Sequence, residues 1–163
     1  MGDRNKFYSM GCYGWHKGFY NDDDCEKTLI NIRYSDYGEV PDDDIFPYDS
    51  AFPLLFGACH VFALSLQKVL NYNAYIIEEK RKRGFHAFCQ IYKDKTWYYI
   101  DARGITTSFD EFMNVAGSFV SDELIIRPID SKDIEEWEED DYFEEACAFA
   151  EAVIQKYEEC YTL

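Results

Sequence analysis

Three residues in the middle of the chain have the side-chain types of a nucleophile, its base and the group that orients the base: Cys59, His86 and Asp101. A thiolate can attack a carbonyl carbon, an imidazole can take the thiol proton and pass it to the leaving group, and a carboxylate can hold that imidazole in one tautomer. All three lie within residues 57–104, each at the start or end of a segment whose pattern predicts a regular element. Those elements decide whether the three can meet.

The Cys59 element reads as a helix. Cys59, Phe62, Ala63, Leu66, Val69 and Leu70 recur at helical spacing, which puts the cysteine on the buried stripe. Gly57 and Ala58, just before it, are small enough to let other groups come close. A thiol in the first turn lies near unpaired backbone N–H groups and the positive end of the helix dipole, both of which favour the thiolate. The same N–H groups could stabilise an oxyanion.

His86 and Asp101 call for a hairpin. Residues 85–92 alternate well enough for a strand, residues 96–102 are aromatic and β-branched, and Lys93-Asp94-Lys95 is a short polar turn between them. With the turn centred near Lys93-Asp94, the register sets His86 directly opposite Asp101, their Cβ atoms about 5 Å apart. A slip of two residues keeps both on one face; a slip of one separates them. Taken singly, each residue has a plainer reading. A cysteine on an apolar stripe is ordinarily a small core residue, a strand histidine is commonly satisfied by a neighbouring carbonyl, and Asp101-Ala-Arg-Gly can be a strand end entering a turn. The joint pattern of type, order and element favours the triad.

Gly57-Ala-Cys59 at a helix start, His86-Ala-Phe88 opening a strand and Trp97-Tyr-Tyr-Ile-Asp101 closing the next resemble the core of the transglutaminase-like branch of the papain-like cysteine hydrolases. The resemblance covers about fifty residues, counted along the chain. It implies a papain-like core in which the cysteine attacks a carboxamide or peptide carbonyl, the histidine is the base and the aspartate orients it. Proteases, transglutaminases, glutamine deamidases and inactive descendants share that pattern. Many papain-like enzymes carry a glutamine upstream of the nucleophile as an oxyanion donor, and residues 46–58 contain none. Tyr48, Asp49 and Ser50 remain alternatives for that donor, each with packing or capping as its plainer role.

The chain has 163 residues, 47% hydrophobic and 18% aromatic, enough for one domain with a real core. Its net charge of −16 argues against nucleic-acid phosphates and anionic membranes as partners and favours a basic protein partner, so that the protein or peptide substrate implied by the resemblance could itself be basic. The bland reading of the same charge is a well-solvated surface. No segment approaches the length of a membrane span, the first residues lack the apolar run of a secretory signal, and six irregularly spaced cysteines point to reduced thiols in a cytoplasmic chain. Gly2 and Cys160 invite lipidation readings, which Lys6 and the acidic, non-aliphatic C-terminus discount. Cys12, His16 and Cys25 match no compact zinc spacing, so no metal or cofactor is expected.

Around the central stretch, residues 23–32 suit a short helix and residues 38–56 an irregular loop packing Phe46, Tyr48, Phe52, Leu54, Leu55 and Phe56 on the core. Asn71-Tyr-Asn73 is a turn, residues 74–79 a strand, and the basic run 80–84 an exposed hairpin connection. Arg103 is placed to pair with a neighbouring carboxylate, residues 108–115 read as a helix and residues 124–126 as a strand ended by Pro128. Residues 130–163 hold thirteen acidic residues and two lysines. Within them Phe143, Ala146, Cys147, Ala150, Val153, Ile154 and Tyr157 form the stripe of an amphipathic helix, with a break around residues 138–141. The expected fold is α+β: one domain, an antiparallel sheet packed on the cysteine-bearing helix, and an acidic C-terminal helix. A rival reading keeps the fold and drops the chemistry, leaving a non-enzymatic acidic interaction protein, for example a DNA-mimicking inhibitor.

Overall fold

The structure is a computed structural model that describes residues 15–18, 22–79, 82–113 and 124–163. Among the described residues six strands form one antiparallel sheet: β1 (Trp15–Gly18), β2 (Asn73–Glu79), β3 (Lys82–Lys93), β4 (Thr96–Asp101), β5 (Gly104–Thr106) and β6 (Leu124–Pro128), in the spatial order β1-β5-β4-β3-β2-β6. The helices are α1 (Asp22–Asn31), α2 (Cys59–Leu70), α3 (Phe109–Met113), α4 (Ser131–Trp137), α5 (Phe143–Lys156) and α6 (Glu158–Tyr161). The architecture is α+β with an antiparallel sheet.

Helix α2 is the central layer. It begins at Cys59 and buries Val61, Phe62, Ala63, Ser65 and Leu66, and it stops where Asn71 turns left-handed and donates its N–H to the Gln67 carbonyl. One side lies on the sheet through Ala87, Cys89 and Ile100; the other meets Ala146, Phe149, Ala150 and Val153 of α5 in the same core. The opposite face of the sheet carries a smaller cluster of Ile77, Phe88 and Phe112, the last from α3, with Tyr75 and Tyr99 packed around it. Because alternate strand residues point to opposite faces, Ala87 and Cys89 look toward α2 while His86 and Phe88 look away from it.

Several expectations change in detail. The β3–β4 turn centres on Asp94-Lys95, both left-handed at φ 52° and 64°, as a two-residue primed hairpin turn requires. The register therefore runs Lys93↔Thr96 to Cys89↔Ile100. Continued, it would set Phe88 and not His86 across from Asp101, so the two are diagonal neighbours on one face instead of direct partners. Strand β3 takes in Lys82 to Gly84 of the basic run, while residues 80 and 81 lie outside the described residues. Phe56 is 44% exposed, with its ring beside that of Phe52, so it is no core residue. The C-terminal segment breaks at residues 138–142, where the sequence predicts a break, and again at Tyr157, which gives three helices; Phe149 and Tyr161, absent from the expected stripe, are both buried. Strands β1 and β5 were not expected at all.

No helix is long and apolar enough to cross a membrane, among the described residues. Among those residues Cys59, Cys89, Cys147 and Cys160 are free thiols, and no cluster of side chains could hold a metal ion. The side chains of Cys12, His16 and Cys25 lie outside the described residues.

Candidate active site

The β3–β4 ladder stops at Cys89↔Ile100, and the site is built in the gap beyond it. There the backbone N–H of Ala87 donates to Cys59 Sγ at 3.3 Å, so the sulfur takes a strand donor that the ladder leaves over. This explains how a cysteine from the α2 side meets a histidine that faces the other way: the helix start plugs the split between two strands. Cys59 is half-buried, whereas His86 and Asp101 are 2% and 3% exposed.

His86 Nε2 lies 3.0 Å from Asp101 Oδ2. Asp101 is in turn clamped by Arg103, whose Nε donates to both carboxylate oxygens at 3.1 and 3.2 Å and whose Nη2 donates to Oδ2 at 2.8 Å. The Arg103 backbone N–H adds a bond to Oδ1 at 2.9 Å, and Nη2 also donates to the Phe112 carbonyl at 2.7 Å. Aromatic rings close over the cluster, with Phe112 centred 5.5 Å from the His86 ring and 5.3 Å from the Arg103 guanidinium carbon. The expected pairing of Arg103 with a nearby carboxylate is thus met by Asp101 itself.

The charges follow from these contacts. Burial works against ionising Asp101, but the Arg103 cation and the His86 hydrogen bond hold its carboxyl well below the usual carboxylate range. As a carboxylate Asp101 only accepts, so Nε2 of His86 is the donor and Nδ1 is the ring nitrogen left for the thiol. Burial would lower the His86 pKa; hydrogen bonds and charge from Asp101 and Cys59 instead raise it to about 9. Burial would raise the Cys59 thiol; hydrogen bonds from His60, His86 and Ala87 and the imidazolium charge bring it down to about 6. At neutral pH the row Arg103⁺, Asp101⁻, His86⁺, Cys59⁻ alternates in sign and sums to zero, which lets four ionised groups share a largely apolar setting.

Of the three residues expected from sequence, the structure brings His86 and Asp101 into direct contact and sets Cys59 at the end of the same chain of hydrogen bonds. The contacts of the three alternatives for a further oxyanion donor are made by an accepting hydroxyl, an aromatic ring and a backbone carbonyl. Ser50 Oγ accepts the Phe52 N–H at 3.3 Å, Tyr48 packs edge-on against Phe46 at 5.7 Å, and the Asp49 carbonyl takes the Tyr34 N–H at 2.9 Å. His60 falls off the apolar stripe of α2, so the sequence pattern does not single it out; its position directly after the cysteine is the available signal. Comparison with protein-family models, with curated proteins and with solved structures finds no match.

Proposed function

We propose that this chain is a cysteine-dependent hydrolase or acyltransferase acting on a carboxamide or peptide carbonyl, built on a papain-like core of the transglutaminase-like type. The observation that carries the reading is the buried His86–Asp101 pair, with the Cys59 sulfur held beside it by the Ala87 N–H. The Cys59 thiolate adds to the carbonyl carbon, and the imidazolium of His86 protonates the departing amine or ammonia, leaving a thioester. His86 then takes a proton from water as the water attacks, freeing the acid and restoring the thiolate–imidazolium pair. An amine in place of that water gives transamidation. Asp101 keeps the imidazole in the tautomer both steps need.

The non-enzymatic rival, an acidic surface for a basic partner, draws on the −16 net charge. It gives no reason for placing an ionised Asp–His pair in the interior, where a well-packed apolar pair would serve stability as well or better. The acidic surface fits the enzymatic reading too, as the ground a basic protein or peptide substrate would meet. The reading is tested by iodoacetamide labelling at neutral pH, with the modified cysteine identified by mass spectrometry. Cys59 should label first in the native protein and lose that lead in His86→Ala. Equal labelling of Cys59 in the two proteins would sink the proposal.

A further inference from the structure

His60 follows the nucleophile directly, and its side chain hydrogen-bonds the Cys59 sulfur. The ring is also held by a second neighbour, Trp137, with centroids 4.7 Å apart and planes tilted by 37°. Trp137 ends α4, a helix fixed in two ways. Its start is a reciprocal capping box between Asp130 and Asp133. Arg127 of the edge strand β6 donates to both Asp133 oxygens at 2.7 and 3.0 Å and to Glu78 of β2 at 2.6 Å. A half-buried histidine in the first turn of a helix thereby packs against a residue 77 positions away.

The proton transfers do not need this second imidazole, since His86 has Asp101 behind it. What acyl transfer still lacks is stabilisation of the charge that develops on the carbonyl oxygen. The backbone N–H of Cys59, at a helix start, is one donor without an intrahelical partner. No upstream glutamine exists to be the other, and His60 is a side-chain donor set beside the sulfur. The oxyanion forms on the atom bonded to the carbon that the sulfur attacks, so a donor already touching the sulfur is one small rotation from it.

We propose that His60, braced by Trp137, is the second oxyanion donor of this site, giving its N–H to the carbonyl oxygen as the Cys59–carbon bond forms. The role rests on the reading of Cys59 as an acyl-transfer nucleophile, and the test separates the two.

Two probes of the same sulfur differ in whether an oxyanion is made. With p-nitrophenyl acetate the Cys59 thiolate adds to the ester carbonyl, whose π pair moves to oxygen. Collapse then breaks the ester C–O bond, p-nitrophenolate leaves with the bonding pair, and an S-acetyl cysteine remains. With iodoacetamide the sulfur displaces iodide at a saturated carbon and no oxyanion arises. Removing an oxyanion donor costs about a hundredfold in acyl transfer. In His60→Ala the rate of Cys59 acetylation should therefore fall about a hundredfold relative to its alkylation. His60→Gln, which restores a side-chain N–H, should recover most of the loss, and Trp137→Ala, which frees the ring, should fall between. If acetylation and alkylation fall together in these variants, or neither changes, His60 is no oxyanion donor although the nucleophile stands. A native protein that alkylates or acetylates no faster at Cys59 than at Cys89 would overturn the nucleophile itself, and the role of His60 with it.

Discussion

Nε2 of His86 donates to Oδ2 of Asp101 at 3.0 Å, and the partners come from strands whose ladder has already ended. The bond does not belong to the regular hairpin. It exists because β3 and β4 part after Cys89↔Ile100, which leaves room for the Cys59 end of α2 and for the Arg103 side chain folding back under Asp101. A tighter hairpin would have filled the gap with ladder hydrogen bonds and shut the cysteine out.

Replacing Asp101 with Asn keeps the shape and removes the charge. His86 then loses the support that keeps it protonated, so the Cys59 thiolate fraction at pH 7 falls and alkylation slows. The buried Arg103 cation then faces a neutral amide where Nε and Nη2 met a carboxylate, a change that costs about 3–5 kcal/mol. Denaturant unfolding and iodoacetamide kinetics on Asp101→Asn should show both losses. A variant of unchanged stability would mean that Arg103 finds another partner.

The pH dependence of Cys59 alkylation is fixed by two values. Since the thiol is lowered to about 6, the rate should climb through that pH and level off. A second change should follow near 9, where the His86 imidazolium gives up its proton. The ion pair stabilises the fold between those limits: the thiolate contribution is lost as pH falls through about 6, and the imidazolium contribution as pH rises through about 9. Cys89 and Cys147 behave oppositely, since burial pushes both thiols up, Cys147 to about 11. A rate profile rising only near the ordinary thiol range would show that Cys59 has no partner.

What could be read in the sequence was whatever repeats. The α2 stripe and the β3–β4 hairpin extend over enough residues for a period to show, and with them the common face of His86 and Asp101. The register differs by two residues from the one the sequence suggests because Asp94 and Lys95 both adopt positive φ without the Gly or Asn that usually marks such a turn. Strands β1 and β5 span four and three residues, too few for alternation, and are specified by each other's presence. Phe149 lies outside the sequence stripe because α5 is buried over a broader face than one stripe, meeting Tyr34 and Tyr37 as well as α2. His60 depends on Trp137, a contact no local pattern encodes.

Arg103→Met probes the far end of the charge chain. In the native protein the carboxyl of Asp101 lies far below its ordinary value, so its contribution to stability is complete above that value and is lost only as pH falls through the depressed one. Without the guanidinium, burial dominates and the carboxyl moves up. The variant should lose about 3 kcal/mol or more at neutral pH, and its acid unfolding should begin at a higher pH than that of the native protein. Parallel stability curves with one acid midpoint would show that Arg103 contributes packing and no charge.

The last element of the site is set from the opposite edge of the sheet. Gly18 of β1 stands across from Gly104, with φ at +116°, a region that L side chains rarely adopt. A Cβ there would fall 2.1 Å from the carbonyl oxygen of Arg103 and 2.3 Å from Cα of Gly104, and both obstacles are backbone. Neither can step aside without moving the turn that aims Arg103 at Asp101. Gly18→Ala should therefore cost about 2–3 kcal/mol through strain and overpacking, and the Cys59 alkylation profile should shift with it, because a displaced Arg103 loosens Asp101 and hence His86. Thermal unfolding and the pH–rate curve, measured on the same preparation, check both parts. Destabilisation with an unaltered profile would show that β1 supports the sheet and has no hold on the site.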